Sequence, residues 1–188
     1  MTNDSWGTKI VESDDLPALA RPDAGLVLIS EWYTESAERQ RLVMDAVVDA
    51  WAKAELPEAF LSRHCLMGSD GRTILNYAQW TDSAAHYAFT ADPANQRAIA
   101  ASVQALTAVG PPGRYTHDRV VRLREAPVRT LSTTRSDDGV AQYFHRREDG
   151  RQLHVLTAHD DEGDGTALRF RPYRGVVREI RESVRPRG

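Results

Sequence analysis

Two side chains with complementary hydrogen-bonding capacity stand four positions apart in the stretch GSDGRTILNYAQWTDSAAHY (residues 68–87): the carboxamide of Asn76 and the indole of Trp80. Period-two alternation along a strand puts Ile74, Asn76, Ala78 and Trp80 on one face and Leu75, Tyr77 and Gln79 on the other. A carboxamide both donates and accepts, whereas an indole N–H only donates, and leaving either unpaired in a core costs about 1–3 kcal/mol. With the small Ala78 between them, the pattern leaves room for a ligand oxygen held by an amide and an N–H. In the simpler arrangement Trp80 is a core aromatic and Asn76 bonds a nearby backbone group. The residues by themselves admit both.

The elements that must position this pair follow from periodicity and punctuation. The run GLVLISEWY (residues 25–33) predicts a buried strand. Thr34 is placed to cap a helix with Glu35 and Glu38 in its acidic first turn, with Ala37, Met44, Val47, Val48 and Trp51 on its apolar face and Pro57 closing it. FLSRHCLM (60–67) and RTILNYAQW (72–80), joined through GSDG, predict an antiparallel hairpin. Asp82 or Ser83 caps a short helix. Asp92–Pro93 opens another, with Ile99, Val103 and Leu106 on its apolar face and Gly110 at its end; RYTHDRVVRLRE (114–125) is a further strand. This order predicts an α+β, ferredoxin-like domain over residues 25–125. Helices cover one sheet face, and the other needs a cover of its own, which a homodimer supplies in the manner of a dimeric α/β barrel.

Residues 1–24, polar and carrying Pro17 and Pro22, predict a flexible or draped arm on which Trp6 packs down. Residues 126–188 consist of short β-rich runs split by RSDDG, REDG and DDEGDG, which predicts an antiparallel meander forming a C-terminal β-rich extension. Within it, DGRQLHVLTAHDD echoes DGRTILNYAQWTD at an offset of 79 residues. The echo reads either as a degenerate half-repeat or as two hairpins with shared turn chemistry.

NYAQW, followed by a short polar turn and then by ADP opening a helix that ends in GPP, resembles the antibiotic biosynthesis monooxygenases, in the branch that oxidises anthrone-type aromatic polyketides without metal, flavin or haem. The resemblance covers about residues 25–125. It implies a compact α+β dimer with a substrate cavity between sheet and helices, molecular oxygen as co-substrate and no cofactor, an aromatic polyketide as the small-molecule partner, and catalytic roles for Asn76 and Trp80. Two positions depart from the branch: His86 stands where a Tyr is usual, with Tyr87 one place later, and a helix Arg falls on Ile99, with Arg97 two positions away.

A deprotonated anthrone can itself pass an electron to oxygen, so the protein need only favour the enolate or phenolate and exclude water. Asn76 and the Trp80 N–H would stabilise the developing oxygen charge. His86, with an ordinary pKa near 6.5, is the leading candidate for the base and His64 the second; Tyr87 can donate a hydrogen bond to the substrate and Arg97 is the substitute cation. The alternatives to an oxygenase are a cyclase or non-oxidative ligand-binding accessory protein, and a non-enzymatic dimeric docking domain that uses its β-rich tail.

Composition narrows the classes further. The net charge of −3 divides into about −7 over residues 1–112 and +4 over 113–188, but the arginines of the second part alternate with Asp and Glu and form no basic block, which argues against nucleic-acid binding. No run has the length of a membrane span, and the N-terminus lacks the pattern of a secretory leader, so a cytoplasmic protein is expected. The single Cys65 has no disulfide partner in the chain and reads as a small core residue. HDDEGDG (159–165) has calcium-loop order but carries Arg171 where a bidentate Glu is required, and no metal site is expected.

Overall fold

Asp70 fixes the hairpin that carries the candidate pair. Its Oδ1 accepts from the backbone N–H of Arg72 at 2.9 Å and of Thr73 at 2.8 Å, while Gly71 takes a positive φ of 69°. In the computed structural model, which describes residues 8–103 and 111–180, the elements are β1 (Thr8–Ser13), β2 (Leu26–Tyr33), α1 (Ala37–Lys53), β3 (Phe60–Gly68), β4 (Thr73–Trp80), α2 (Ser83–Ala91), α3 (Pro93–Val103), β5 (Gly113–Arg122), β6 (Thr130–Ser132), β7 (Ala141–Arg147), β8 (Leu153–His159) and β9 (Phe170–Ile180). Trp6, Leu106 and Gly110 lie outside the described residues.

The strands form one antiparallel sheet in the order β1-β9-β3-β4-β2-β5-β7-β8-β6, and a β6–β9 pairing closes eight of them into a barrel. The run β3-β4-β2-β5 is the ferredoxin-like order. The run β7-β8-β6-β9 repeats that order with the later strands, and the echoed segments fall on β4 and β8, which hold equivalent places in the two runs. β5 pairs with β7 and β9 pairs with β3, so both edges of the first sheet are taken up.

Several expectations change. The C-terminal strands are no meander: β6 pairs with β8 and β9, not with β7, because only this order caps both open edges. The end of TALRFR and the start of GVVREIRES lie on one strand, β9, with a register irregularity at its pairing with Cys65 and Leu66. The sheet face for which a homodimer was invoked is covered by the chain's own second half: Val27, Ile29, Leu75 and Tyr77 pack against Leu131, Ala141, Leu156, Ala158 and Phe170 in the barrel interior. A partner is therefore not needed to bury it. Residues 8–24 are not a loose arm either. β1 pairs along β9, and Leu16 and Leu19 join the interior core. Helix α1 is capped by Ser36, whose Oγ accepts from Arg39 N–H at 3.2 Å, while Thr34 bonds the Arg72 carbonyl instead. The short helices start as expected, at Asp82 for α2 and Asp92–Pro93 for α3.

The helices lie outside the barrel against β3, β4 and β2. Their core gathers Trp32, Val43, Met44, Val47, Val48, Trp51, Phe60, Ile74, Ala78, Trp80 and Phe89. The cover is uneven: α1 buries six side chains, Gln40 among them, whereas Phe89 is the buried residue of α2.

Candidate functional site

The alternation predicted for β4 is observed. Ile74, Ala78 and Trp80 belong to the helix-facing core, and Leu75 and Tyr77 to the barrel interior. Asn76 faces the helix side, 4% exposed, and Trp80 is fully buried. Neither is simply satisfied: the Asn76 Nδ2 and the Trp80 Nε1 have no hydrogen-bond partner. The Trp80 ring is held edge-on by Phe60 and His86, with centroids at 5.4 and 5.1 Å, and lies tilted against Phe89 at 5.2 Å.

Among the described residues, the place expected to be open above Ala78 is taken up by Arg63. Arg63 pairs across the ladder from Ala78, its Nη2 donating to Asn76 Oδ1 at 3.3 Å. Its guanidinium sits 4.5 Å from the Trp51 ring centroid and 5.5 Å from that of Trp32. Cys65 offers Asn76 Oδ1 a longer contact at 3.5 Å. Among the described residues no carboxylate pairs with Arg63, its buried Nε has no partner, and burial pushes its pKa below the usual guanidinium value. The Trp32 Nε1, also buried, is unpartnered as well. One face of the sheet thus collects the Nε–H of a guanidinium, a carboxamide N–H and two indole N–H groups that meet no acceptor. A partly buried guanidinium with no counter-ion carries a desolvation cost. Such a set is matched to a ligand bearing a negative oxygen.

Beside these groups, among the described residues, the surface opens into a cleft of about 20 Å³ lined by Trp51, Phe89, Asn95 and Ile99 together with Ala50 and Ala54. Ile99, the position of the absent helix Arg, therefore faces this recess, partly buried against the helix-side core.

His86 is half-buried on α2, and its Nδ1 accepts from Arg114 Nη1 at 2.9 Å. Burial first, and the nearby Arg114 cation second, lower its pKa to about 4, with Glu148 acting the other way. It is neutral near pH 7 and weaker as a base than its type suggests. Arg114 is in turn gripped by Glu148, Nε to Oε2 at 2.7 Å, and Ser83 Oγ also bonds Glu148. Glu148 belongs to the β7–β8 turn, so the second half of the chain holds a residue of the first-half site in place. Tyr87, 55% exposed, lies under the Arg114 guanidinium at 4.0 Å, beside His86 at the surface.

His64 is not part of this group. It pairs with Tyr77 and faces the barrel interior, on the opposite side of the sheet from Asn76, where burial lowers its pKa to about 4. The reason is a register shift between Phe60 and Ser62, which exchanges the two faces of β3 and turns Arg63, not His64, toward the helices. Arg97 is an exposed residue of α3. Trp80 and His86 are in contact, with Tyr87 beside His86, and Asn76 lies on the same face of β4 as Trp80; His64 and Arg97 lie elsewhere. Arg63, Trp32, Arg114 and Glu148 were missed. Among the described residues no cluster of His, Cys, Asp or Glu is arranged to hold a metal ion, and no helix is long and apolar enough to cross a membrane.

No family model and no curated protein matches the chain. Among solved structures, that of an anthrone oxidase-like protein superimposes with a TM-score of 0.57 over 92% of this chain and 95% of that one, at 11% identity, which establishes a shared fold across the whole barrel. A monooxygenase from the ActVA-Orf6 gene of Streptomyces coelicolor, solved with the ligand nanaomycin D, matches 52% of this chain and 89% of that chain at 26% identity and a TM-score of 0.44. The solved structures similar to this chain thus include the kind of protein to which NYAQW and the ADP helix pointed.

Proposed function

We propose that the chain is a cofactor-independent monooxygenase that oxidises an anthrone-type aromatic polyketide, with molecular oxygen as co-substrate. The observation that carries this reading is the partly buried Arg63, its Nε inaccessible and no carboxylate beside it among the described residues, next to the unpartnered amide N–H of Asn76. The shared fold with an anthrone oxidase-like protein and the NYAQW motif support it.

In this reading the ionised oxygen of the substrate takes the place that no protein acceptor fills, meeting Arg63 and the Asn76 Nδ2. The indole rings of Trp32, Trp51 and Trp80 supply flat apolar walls. These donors favour the enolate over the neutral ketone and so lower the pKa of the substrate itself, which suits a site whose histidine is a weak base. The substrate anion reduces O₂, the carbon and oxygen radicals combine to a peroxide, and loss of water leaves a new carbonyl. One atom of O₂ ends in product and the other in water, together with the two hydrogens of the oxidised methylene. His86, anchored through Nδ1, keeps its remaining proton on Nε2, available as a donor. The 20 Å³ recess is too small for a fused-ring guest, so in this reading α2, tied down by Phe89, by the Ser83–Glu148 bond and by the His86–Arg114 bond, shifts to admit the substrate.

The test is oxygen uptake with a model anthrone by protein stripped of metal and flavin. Equimolar oxygen consumption and quinone formation support the proposal. The low basicity of His86 favours a second reading, in which the same donors bind an aromatic anion without oxidising it. Conversion that persists under anaerobic conditions, or tight binding with no oxygen uptake, would establish that reading and remove the first.

A further inference from the structure

A second cluster of unanswered polar groups lies at the other end of α1. A cleft of about 320 Å³ opens between the first turn of α1, the β3–β4 turn and the second-half segments around Thr130 and Arg169. Arg41, Arg169 and Arg171 line it against a single lining carboxylate, Glu162. Among the described residues Arg41 and Arg171 have no carboxylate partner; Arg171 Nη2 reaches the Met67 sulfur at 3.3 Å, and Arg169 Nε stands 4.0 Å from Asp161, at the outer limit of an ion pair.

Gln40 supplies the independent observation. It is fully buried and lines the cleft; its Nε2 donates to the Thr73 carbonyl at 2.7 Å and the Gly68 carbonyl at 3.3 Å. Those bonds fix the amide orientation and leave Oε1 buried with no donor. The Arg169 Nε, buried in the same cleft, has no acceptor. A ligand that satisfies both must accept from guanidinium groups and also donate a hydrogen bond, which an acidic oxyanion does through an O–H of its own.

We propose that this cleft binds a phosphate-type oxyanion that keeps one proton: hydrogen phosphate, or the monoanion of a phosphomonoester. Carboxylates and sulfate accept but bring no O–H of their own. The cleft is larger than bare phosphate requires, so an ester with a small organic substituent fits within it. The site is separate from the helix-side donors, and its fate does not depend on the oxygenase reading.

Calorimetric titration of the full chain at pH 6 tests it, with inorganic phosphate, glycerol 3-phosphate and sulfate as probes. The expected result is saturable binding of phosphate, with sulfate about tenfold weaker for want of the O–H, and a loss of about tenfold for each of Arg41→Gln and Arg171→Gln. Both side chains belong to exposed residues at the rim, so the melting temperature of the unliganded variants should be unchanged. Tighter binding of the glycerol ester identifies the ester as the ligand class, and tighter binding of inorganic phosphate identifies the free anion. Absence of saturable binding, sulfate binding as tightly as phosphate, or indifference to both substitutions would overturn the proposal and leave Gln40 Oε1 to a water molecule.

Discussion

Arg114 on β5 donates from Nη1 to Nδ1 of His86 on α2 over 2.9 Å, and the same guanidinium is clamped by Glu148 from the β7–β8 turn. The histidine nearest the candidate site is therefore neutral, with a fixed tautomer whose remaining proton is on Nε2. NMR titration should place its ionisation near pH 4. Arg114→Gln removes a lowering charge and should raise that value, whereas Glu148→Gln removes an opposing one and should lower it. A His86 that titrates near 6.5 in the unmodified protein would break this chain of contacts.

The turnover profile follows from the same geometry. If His86 were the base with its ordinary pKa, the rate would rise through pH 6.5. With a pKa of about 4 it is already deprotonated above pH 5, so the rise should track ionisation of the substrate and shift when anthrones of different acidity are compared. A limb fixed near pH 6.5 for every substrate, and absent in His86→Gln, would restore the base role.

Acid should unfold the barrel through its buried imidazoles. His64 and His145 are nearly inaccessible, and burial lowers their pKa values to about 4 and about 3. A histidine with a depressed folded pKa leaves stability unaffected above pH 6.5. Below it the unfolded state binds more protons, so stability falls until the folded pKa is reached. Each group should cost up to about 2 kcal/mol at pH 5. Chemical denaturation at pH 7 and pH 5 measures this, and His145→Gln should flatten the dependence. Equal stability at both pH values would mean that these rings are hydrated in solution.

Cutting the chain after residue 125 should not release a folded monomer. It would uncover Val27, Ile29, Leu75 and Tyr77 and free the edges of β3 and β5. Sedimentation should show self-association or precipitation. A stable monomeric fragment would mean that the second half is an appendage rather than the closing half of the barrel. For the same reason, deletion of the tail cannot isolate a docking function from the pocket.

Much of the first half was legible because its signals are local. The GSDG turn, the Asp82 and Asp92 caps and the alternation of TILNYAQW each specify their own element, and β4 presents the faces its spacing predicts. Barrel closure was not legible, since pairing β9 with β3 joins segments about a hundred residues apart, and a β-rich run carries no mark of which edge it will seek. The site was half read. Asn76 and Trp80 sit on a regular strand, but His64, offered as a base because it is a histidine on the neighbouring strand, is turned away by a register shift in β3 that brings Arg63 to the helix side instead. Thr34 is not the α1 cap because the helix starts at Ala37, where Ser36 is the residue placed to accept from Arg39, while Thr34 donates to the Arg72 carbonyl.

Arg63→Met separates a functional arginine from a structural one. The unpaired charge is a burden on the fold, partly offset by its stacking on Trp51 and Trp32, worth about 0.5–2 kcal/mol in desolvated settings. The thioether chain keeps the apolar contacts, so denaturation should show no loss of stability and a gain of up to about 1 kcal/mol. A loss of about 2 kcal/mol or more would assign Arg63 to the architecture instead.

The claim under all of this is that the helix-side donors hold an aromatic oxygen in its ionised form. The direct measurement is the absorbance titration of a hydroxylated anthrone or anthraquinone bound to the full chain, beside the free ligand and the Arg63→Met protein. The bound ligand should ionise at least about one pH unit below the free one, with the difference lost in Arg63→Met. Ionisation at the same pH or higher when bound, or an undiminished shift in Arg63→Met, would contradict it.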